Sequence, residues 1–236
     1  VNPKVRLNIS EQLDDLSLSG KVLEDTLSSL GTINSIFGNH RQLTRSVLKY
    51  CSNKKYKENI HIVDLGCGGG DSLRYLSKQL LQKNINASYT GIDGNPKSIE
   101  FAKKNTPHQN SIQFLVADIL SPTFEIPECD ILISSHFIYH FDNQKLADFL
   151  KKIQPKNVKH IIFSELYRSP IAYFLFKIAS RLLPISEMAK KDGLVAIQRA
   201  FTKKELEMII RQGNVEDYII RKKPFFRMIA TLDLPS

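Results

Sequence analysis

One stretch of this chain, "IVDLGCGGGD" at residues 62–71, limits the fold more than any other: an apolar run that ends in an acid and is followed directly by glycines. The apolar run is a buried strand. The glycines behind it let the backbone turn sharply into a helix and leave amides bare at the strand's carboxyl end, which is where open α/β sheets bind ligands. The pattern then repeats. "IHIVDL", "SYTGID", "IQFLVAD", "CDILISSHF" and "KHIIFSEL" are short apolar runs separated by amphipathic stretches, among them a helix from about 71 to 83, one opened by Pro96, and "DNQKLADFLKKI". Five such strands predict right-handed crossovers and a parallel sheet covered on both faces.

Ahead of the sheet, Val22, Leu23, Leu27, Leu30, Ile33 and Ile36 recur at spacings of three and four, which predicts helix over 20–50 with a break at Gly38. After the fifth strand, residues 169–200 are apolar and basic. Ile171, Phe174, Leu175, Ile178 and Leu182 form one stripe of a helix, with Lys177 and Arg181 largely on another side, and we expect the stripe to roof the cleft above the strand ends. Thr202 and Glu205 form a capping box, and Gly213 ends that helix as its C-cap. "VEDYIIRKKPFFRMIATLDL" reads as two strands joined near Lys222 to Pro224. The expectation is one α/β domain over 1–236, Rossmann-like and doubly wound, with a seven-stranded sheet that is mostly parallel and ends in an antiparallel hairpin. Its parts are an N-terminal helical cap (1–55), a cofactor-binding core (59–168), a helical lid (169–200), and a last helix with the hairpin (201–236).

The glycine turn rejects two ligand classes. A triphosphate loop needs GxxxxGK[ST], and no lysine is present; a dinucleotide fingerprint counted from Gly66 would end on Asp71, an acid facing a pyrophosphate. The run from Asp64 fits DxGxGxG instead. Asp93 ends the second strand in "GIDGNP" and Asp118 the third in "VADIL". Acids at three successive strand ends suit a ligand with a cationic centre, a ribose and an adenine; each alone also suits capping of the next helix.

Over about 59–141, the order glycine turn, "GIDGNP", "VADIL", "ISSHFIYHF" resembles the class I S-adenosylmethionine-dependent methyltransferases. The resemblance implies S-adenosyl-L-methionine as cofactor. Its methionine portion would pass the turn formed by Asp64, Gly66, Cys67 and Gly68, its ribose would rest on Asp93 beside Gly94, and its adenine would lie at Asp118 and Ile119. The fourth strand lacks the Asp/Asn-Pro-Pro-aromatic run of nucleic-acid amine methylases and is similar to the small-molecule branch of quinone-biosynthesis methylases. Ser135, expected to touch the cofactor, and His140 match that branch, while Tyr139 stands where a second histidine often sits. "FGNHRQ", residues 37–42, is similar to a Gly-x-His-Arg element of the same branch, which implies that His40 and Arg41 approach the acceptor; it also reads as a helix end followed by solvated residues. The segment after the fifth strand resembles methylases of aromatic polyketides, which supports an apolar pocket roofed by a helix; the stripe's spacing places Phe174 at the acceptor. His136 and His140 straddle the fourth strand's end as candidate bases, with Tyr139 as an orienting group. The expected reaction is O-methylation of a hydrophobic, aromatic small molecule; carbon methylation of a quinone-like ring is the rival and needs no strong base.

Composition narrows the setting. Cys51, Cys67 and Cys129 are widely spaced with no CxxC, so we expect no metal centre and a reducing, cytoplasmic environment. No signal-like start and no run of about 18 uncharged apolar residues is present, so no stable membrane insertion is expected. The net charge of +9 admits an RNA reading through Lys151, Lys152, Lys156, Lys159, Arg221, Lys222 and Lys223. Without interleaved aromatics these read as a solvated face, and no nucleic-acid partner is expected. The expected partner is the small-molecule acceptor, and the expected state is monomer or homodimer.

Overall fold

The computed structural model describes residues 5–53, 59–107, 111–153 and 158–234. Lys156 lies outside the described residues. The helices are α1 (Gly20–Ile36), α2 (Asn39–Asn53), α3 (Asp71–Leu81), α4 (Pro96–Lys104), α5 (Asn143–Ile153), α6 (Pro170–Leu182), α7 (Glu187–Arg199) and α8 (Lys203–Gln212). The strands are β1 (Ile60–Leu65), β2 (Ala87–Asp93), β3 (Ile112–Val116), β4 (Cys129–Ser135), β5 (Val158–Leu166), β6 (Asp217–Lys223) and β7 (Arg227–Asp233). They form one seven-stranded sheet in the order β3-β2-β1-β4-β5-β7-β6. The first five are parallel, and β7 returns antiparallel against β5, pairing Ser164 with Ile229. The mixed sheet expected from the sequence is the one observed.

The central strands carry apolar side chains on both faces because helices cover both. Ile60, Ile62, Ile131 and Ile133 pack with Leu43 and Val47 of α2 and Leu73, Leu76 and Leu80 of α3. Val63, Leu132, Ile161 and Phe163 pack with Leu146 and Leu150 of α5 and Leu206, Ile209 and Ile210 of α8. Chain reversal from β3-β2-β1 to β4-β5-β7 opens a crevice between the carboxyl ends of β1 and β4.

Local signals hold at most helix ends. Asn95 accepts from the amides of Lys97 and Ser98 ahead of Pro96, and Thr202 and Glu205 exchange the two bonds of a capping box. Gly213 is the C-cap of α8, as expected, but it is not left-handed. Its φ is −75°, and the left-handed residue is Asn214, at 61°. The glycine is there for space: a Cβ on it would lie 2.7 Å from Leu150 Cβ. Gly213→Ala should therefore cost about 1–3 kcal/mol by overpacking, whereas Asn214→Gly should cost almost nothing. Urea denaturation of the two variants checks the assignment.

The lid is two helices, and its large apolar stripe points outward. Ile171, Phe174, Leu175, Ile178 and Leu182 are exposed, while Ala172 and Ser180 are buried. The large residue on the inner side of α6 is Phe176, and α7 makes room for it: its ring lies 2.5 Å from where a Cβ on Gly193 would be. Among the described residues no helix is long and apolar enough to cross a membrane.

Candidate active site

A cavity of about 760 Å³ opens above the crevice. That volume falls within the range of roughly 300–1,000 Å³ for small-molecule sites. Its two halves differ in chemistry. The half over β1, β2 and β3 is bordered by Asp64, Gly66, Cys67, Gly68, Asp93, Gly94, Asp118 and Ile119, and the half over β4, β5 and β7 by Phe37, Phe137, Leu166, Leu175, Phe176, Ala179, Phe225 and Phe226.

The glycine turn is tighter than ligand access alone demands. Gly66, Gly68 and Gly70 have φ of 72°, 50° and 73°. A Cβ on Gly66 would lie 2.5 Å from the Phe137 ring, and one on Gly70 2.8 Å from the Phe114 ring. Protein side chains occupy the space at those two glycines, and only Gly68 faces open room, with Leu27 the nearest group at 3.7 Å. Its amide donates to Asp93 Oδ2 (2.9 Å), and Asp93 Oδ1 accepts from Asn95 N (2.9 Å). Burial raises the Asp93 carboxyl despite these two amides. Asp64 is buried beside it, and its Oδ1 has no hydrogen-bond partner. Burial, reinforced by the charges of Asp71 and Asp93, raises Asp64 well above the usual carboxyl range. Burial likewise raises the Cys67 thiol well above its ordinary value, which keeps it neutral. Asp118 is exposed and accepts from Leu120 N (3.0 Å), while Ile119 is buried.

"FGNHRQ" anchors a helix, and of its six residues Phe37 alone borders the cavity. Asn39 donates to Ser135 Oγ (2.6 Å) and accepts from Ser164 Oγ (2.6 Å), fastening α2 to the ends of β4 and β5. His40 Nε2 meets Asp71 Oδ2 at 2.6 Å and its ring stacks on Tyr75. Burial would raise Asp71, but the bonds from His40 and Asn34 outweigh it and lower the carboxyl. His40 is thus spent on a helix-opening acid, and Arg41 points to solvent; neither borders the cavity. Phe174 does not border it either, being 62% exposed. The wall from α6 is Ala172, Leu175, Phe176 and Ala179.

The three candidate catalytic residues separate by their partners. His136, at a φ of 53°, accepts at Nε2 from the guanidinium of buried Arg227. Burial and then the Arg227 charge push His136 well below the usual imidazole range, and with its lone pair engaged it cannot take up a proton from an acceptor. Tyr139 is buried, its hydroxyl donates to Glu11 Oε2 (3.4 Å), and burial raises the phenol well above its ordinary value. It stays protonated. His140 Nδ1 lies 2.9 Å from Asp14 Oδ1. Burial would raise Asp14, but its bonds with His140 and Arg199 overcome this and hold it at about 2. Ionised Asp14 can only accept, so Nδ1 carries the proton and Nε2 the lone pair. Among the described residues, no hydrogen bond engages that nitrogen.

Asp14 comes from the N-terminal part expected from the sequence as a helical cap (1–55), whose first α-helix begins only at Gly20. Residues 5–18 cross the cavity as a strap with a short 3-10 turn, Gln12–Asp14. Arg199 binds Glu11 (3.3 Å) and Asp14 (2.7 Å), and Asp192 accepts from the amides of Gln12 and Leu13 (3.0 Å each). Leu16 reaches Gly94, where a Cβ would stand 3.0 Å from it. Glu11, Asp14 and His140 are spaced closely enough to hold a metal ion, but the Arg199 guanidinium already supplies the positive charge at both acids.

Behind the cavity, buried Glu165 accepts from the amides of Phe137 and Ile138, and its Oε2 is unpartnered. Burial pushes it up to about 8, against those amides and the Arg227 charge. The folded chain therefore keeps this proton at pH values where the unfolded chain has released it. Its stabilisation is complete below about 4.5 and is lost as pH rises towards about 8. Glu165→Gln should match the parent near pH 5 and gain on it near pH 8, as read by urea melts at the two pH values.

Comparisons with known proteins agree with this geometry. Residues 62–155 match the family model described as a methyltransferase domain. Among curated proteins the chain is similar to 5-methylorsellinic acid synthase of Aspergillus terreus, 32% identical over 100 residues that make up 42% of this chain and 4% of that protein. It is also similar to malonyl-[acyl-carrier protein] O-methyltransferase of Acetivibrio thermocellus, 30% identical over 139 residues, 56% of this chain and 45% of that one. The matched stretch spans less than half the length of either relative. Among solved structures, human N-acetylserotonin methyltransferase in complex with SAM shares the fold with a TM-score of 0.62 at 15% identity, over 91% of this chain and 56% of that one.

Proposed function

We propose that this chain, which carries a methyltransferase domain of the class I fold, is an S-adenosylmethionine-dependent enzyme that methylates an oxygen of a hydrophobic, aromatic small molecule. One observation carries the reading: His140, oriented by Asp14, borders a cavity with acids on one side and apolar walls on the other. The residues present fit the cofactor. A buried carboxylate oxygen without a partner, Asp64 Oδ1, flanked by Asp71 and Asp93, is a site whose charge an ammonium or sulfonium would offset. Asp93, fixed by two amides, would accept from the ribose, and Asp118 with Ile119 would hold the adenine, as the family resemblance implies.

S-adenosylmethionine, when bound, supplies a methyl group on a sulfonium, an electrophile with a good leaving group. The protein's own contribution is then orientation, worth up to roughly 7–11 kcal/mol when ideal, and a proton acceptor for a hydroxyl nucleophile. Asp14 fixes the tautomer, Nε2 of His140 accepts the acceptor's proton, and Tyr139 and Arg199 hold the strap that brings Asp14 into place. The O-methyl activity in the name of the Acetivibrio relative is in line with this assignment. Incubation with methyl-tritiated S-adenosylmethionine and a panel of phenols tests it: label should appear as a methyl ether, and label fixed on carbon instead would refute oxygen as the site.

A further inference from the structure

Helix α6 buries Ala172 and Ser180 and turns Phe176 towards α7, but leaves most of its large apolar side chains outside. Ile171, Phe174, Leu175, Ile178 and Leu182 are between 45% and 84% exposed and lie on one side of a single helix. A helix of a soluble protein ordinarily turns such a stripe to the core, and a contiguous apolar patch left outside marks an interaction surface. Two further observations say what it meets. Lys177 and Arg181 are exposed along one edge of the stripe, and the segment from Leu166 to Ser186 contains no Asp or Glu. The patch is also continuous with the cavity. Leu175 belongs to both, and Phe225, 56% exposed on the hairpin turn, borders the same apolar half.

We propose that α6 docks on an anionic lipid bilayer, its stripe in the acyl boundary and Lys177 and Arg181 at the headgroups, so that the cavity draws a lipophilic acceptor from the bilayer past Leu175 and Phe225. At 13 residues the helix is too short to span a membrane and suits lying in its plane. A cationic edge without neighbouring acids in its own segment attracts anionic headgroups. A two-fold pairing of the same face would instead bring both copies' cations to one seam. The source of the acceptor rests on the methyl-transfer reading; the docking does not.

Co-sedimentation with vesicles tests the proposal. The chain should pellet with phosphatidylcholine vesicles containing about one-third phosphatidylglycerol and stay in the supernatant with phosphatidylcholine alone. Phe174→Glu combined with Leu182→Glu should lower partitioning at least about tenfold, and Lys177→Glu combined with Arg181→Glu should abolish the preference for anionic lipid. All four side chains are exposed, so thermal melts should match the parent. A parent chain that ignores anionic vesicles overturns the proposal, as does a Phe174→Glu/Leu182→Glu variant that pellets like the parent. A dimer split by Phe174→Glu in sedimentation velocity, without vesicle binding, would make the face a contact between copies. Titration with S-adenosylhomocysteine separates the two readings: a parent that pellets with anionic vesicles yet fails to bind this ligand keeps the docking and loses methyl transfer.

Discussion

His140→Ala should lower kcat by about a hundredfold to ten-thousandfold, the range for losing a positioned general base, with S-adenosylhomocysteine affinity unchanged. The split is expected because His140 follows β4, on the apolar side of the crevice, while the acids assigned to the cofactor end β1, β2 and β3. Asp14→Asn provides a second handle: with Nδ1 no longer held by an anion, the wrong tautomer becomes accessible and kcat should fall while KM changes little. His136→Leu should behave differently, losing stability through Arg227, which would be left buried with one fewer acceptor. Full activity of the His140 variant would favour carbon methylation or an acceptor already ionised in solution.

Asp93→Ala should weaken S-adenosylhomocysteine at least about tenfold in calorimetry, since each hydrogen bond to a charged acceptor contributes about 1.5–3 kcal/mol. Two effects act together here. The carboxylate would lose its bonds to the ribose, and the amides of Gly68 and Asn95 would lose the acceptor that holds the glycine turn against the end of β2. Gly68 is the turn glycine that faces open room, so a shift there alters the bare backbone offered to the ligand. An Asp93→Ala chain that binds as tightly as the parent would place the ribose elsewhere.

The strands β1, β2, β4 and β5 were legible because they are buried on both faces and so read as apolar runs, and the capping box at Thr202 because its two bonds are local. What the sequence withheld was non-local. Asp14 and Glu11 sit in a polar stretch with no periodicity, and their place over the cavity is set by Arg199 and Asp192, which join from α7 far along the chain. A spacing rule finds the α6 stripe but not the direction it faces. That is set by non-local packing: Ala172 and Ser180 are the buried residues of α6, and Gly193 of α7 leaves room for Phe176. The same holds for "FGNHRQ", where His40 looks available until Asp71 is folded against it. The glycine turn was read correctly as tight, but two of its glycines make room for Phe137 and Phe114, both distant in sequence.

The measurement that bears most directly on the account is calorimetric titration of the full chain with S-adenosylhomocysteine, with NAD and ATP as competitors. One site per chain should appear, weakened by Asp93→Ala, indifferent to His140→Ala, and not displaced by either nucleotide, because the turn offers acids where a polyphosphate needs donors. Absence of binding, or displacement by NAD, would contradict the assignment of this cavity to a methyl donor.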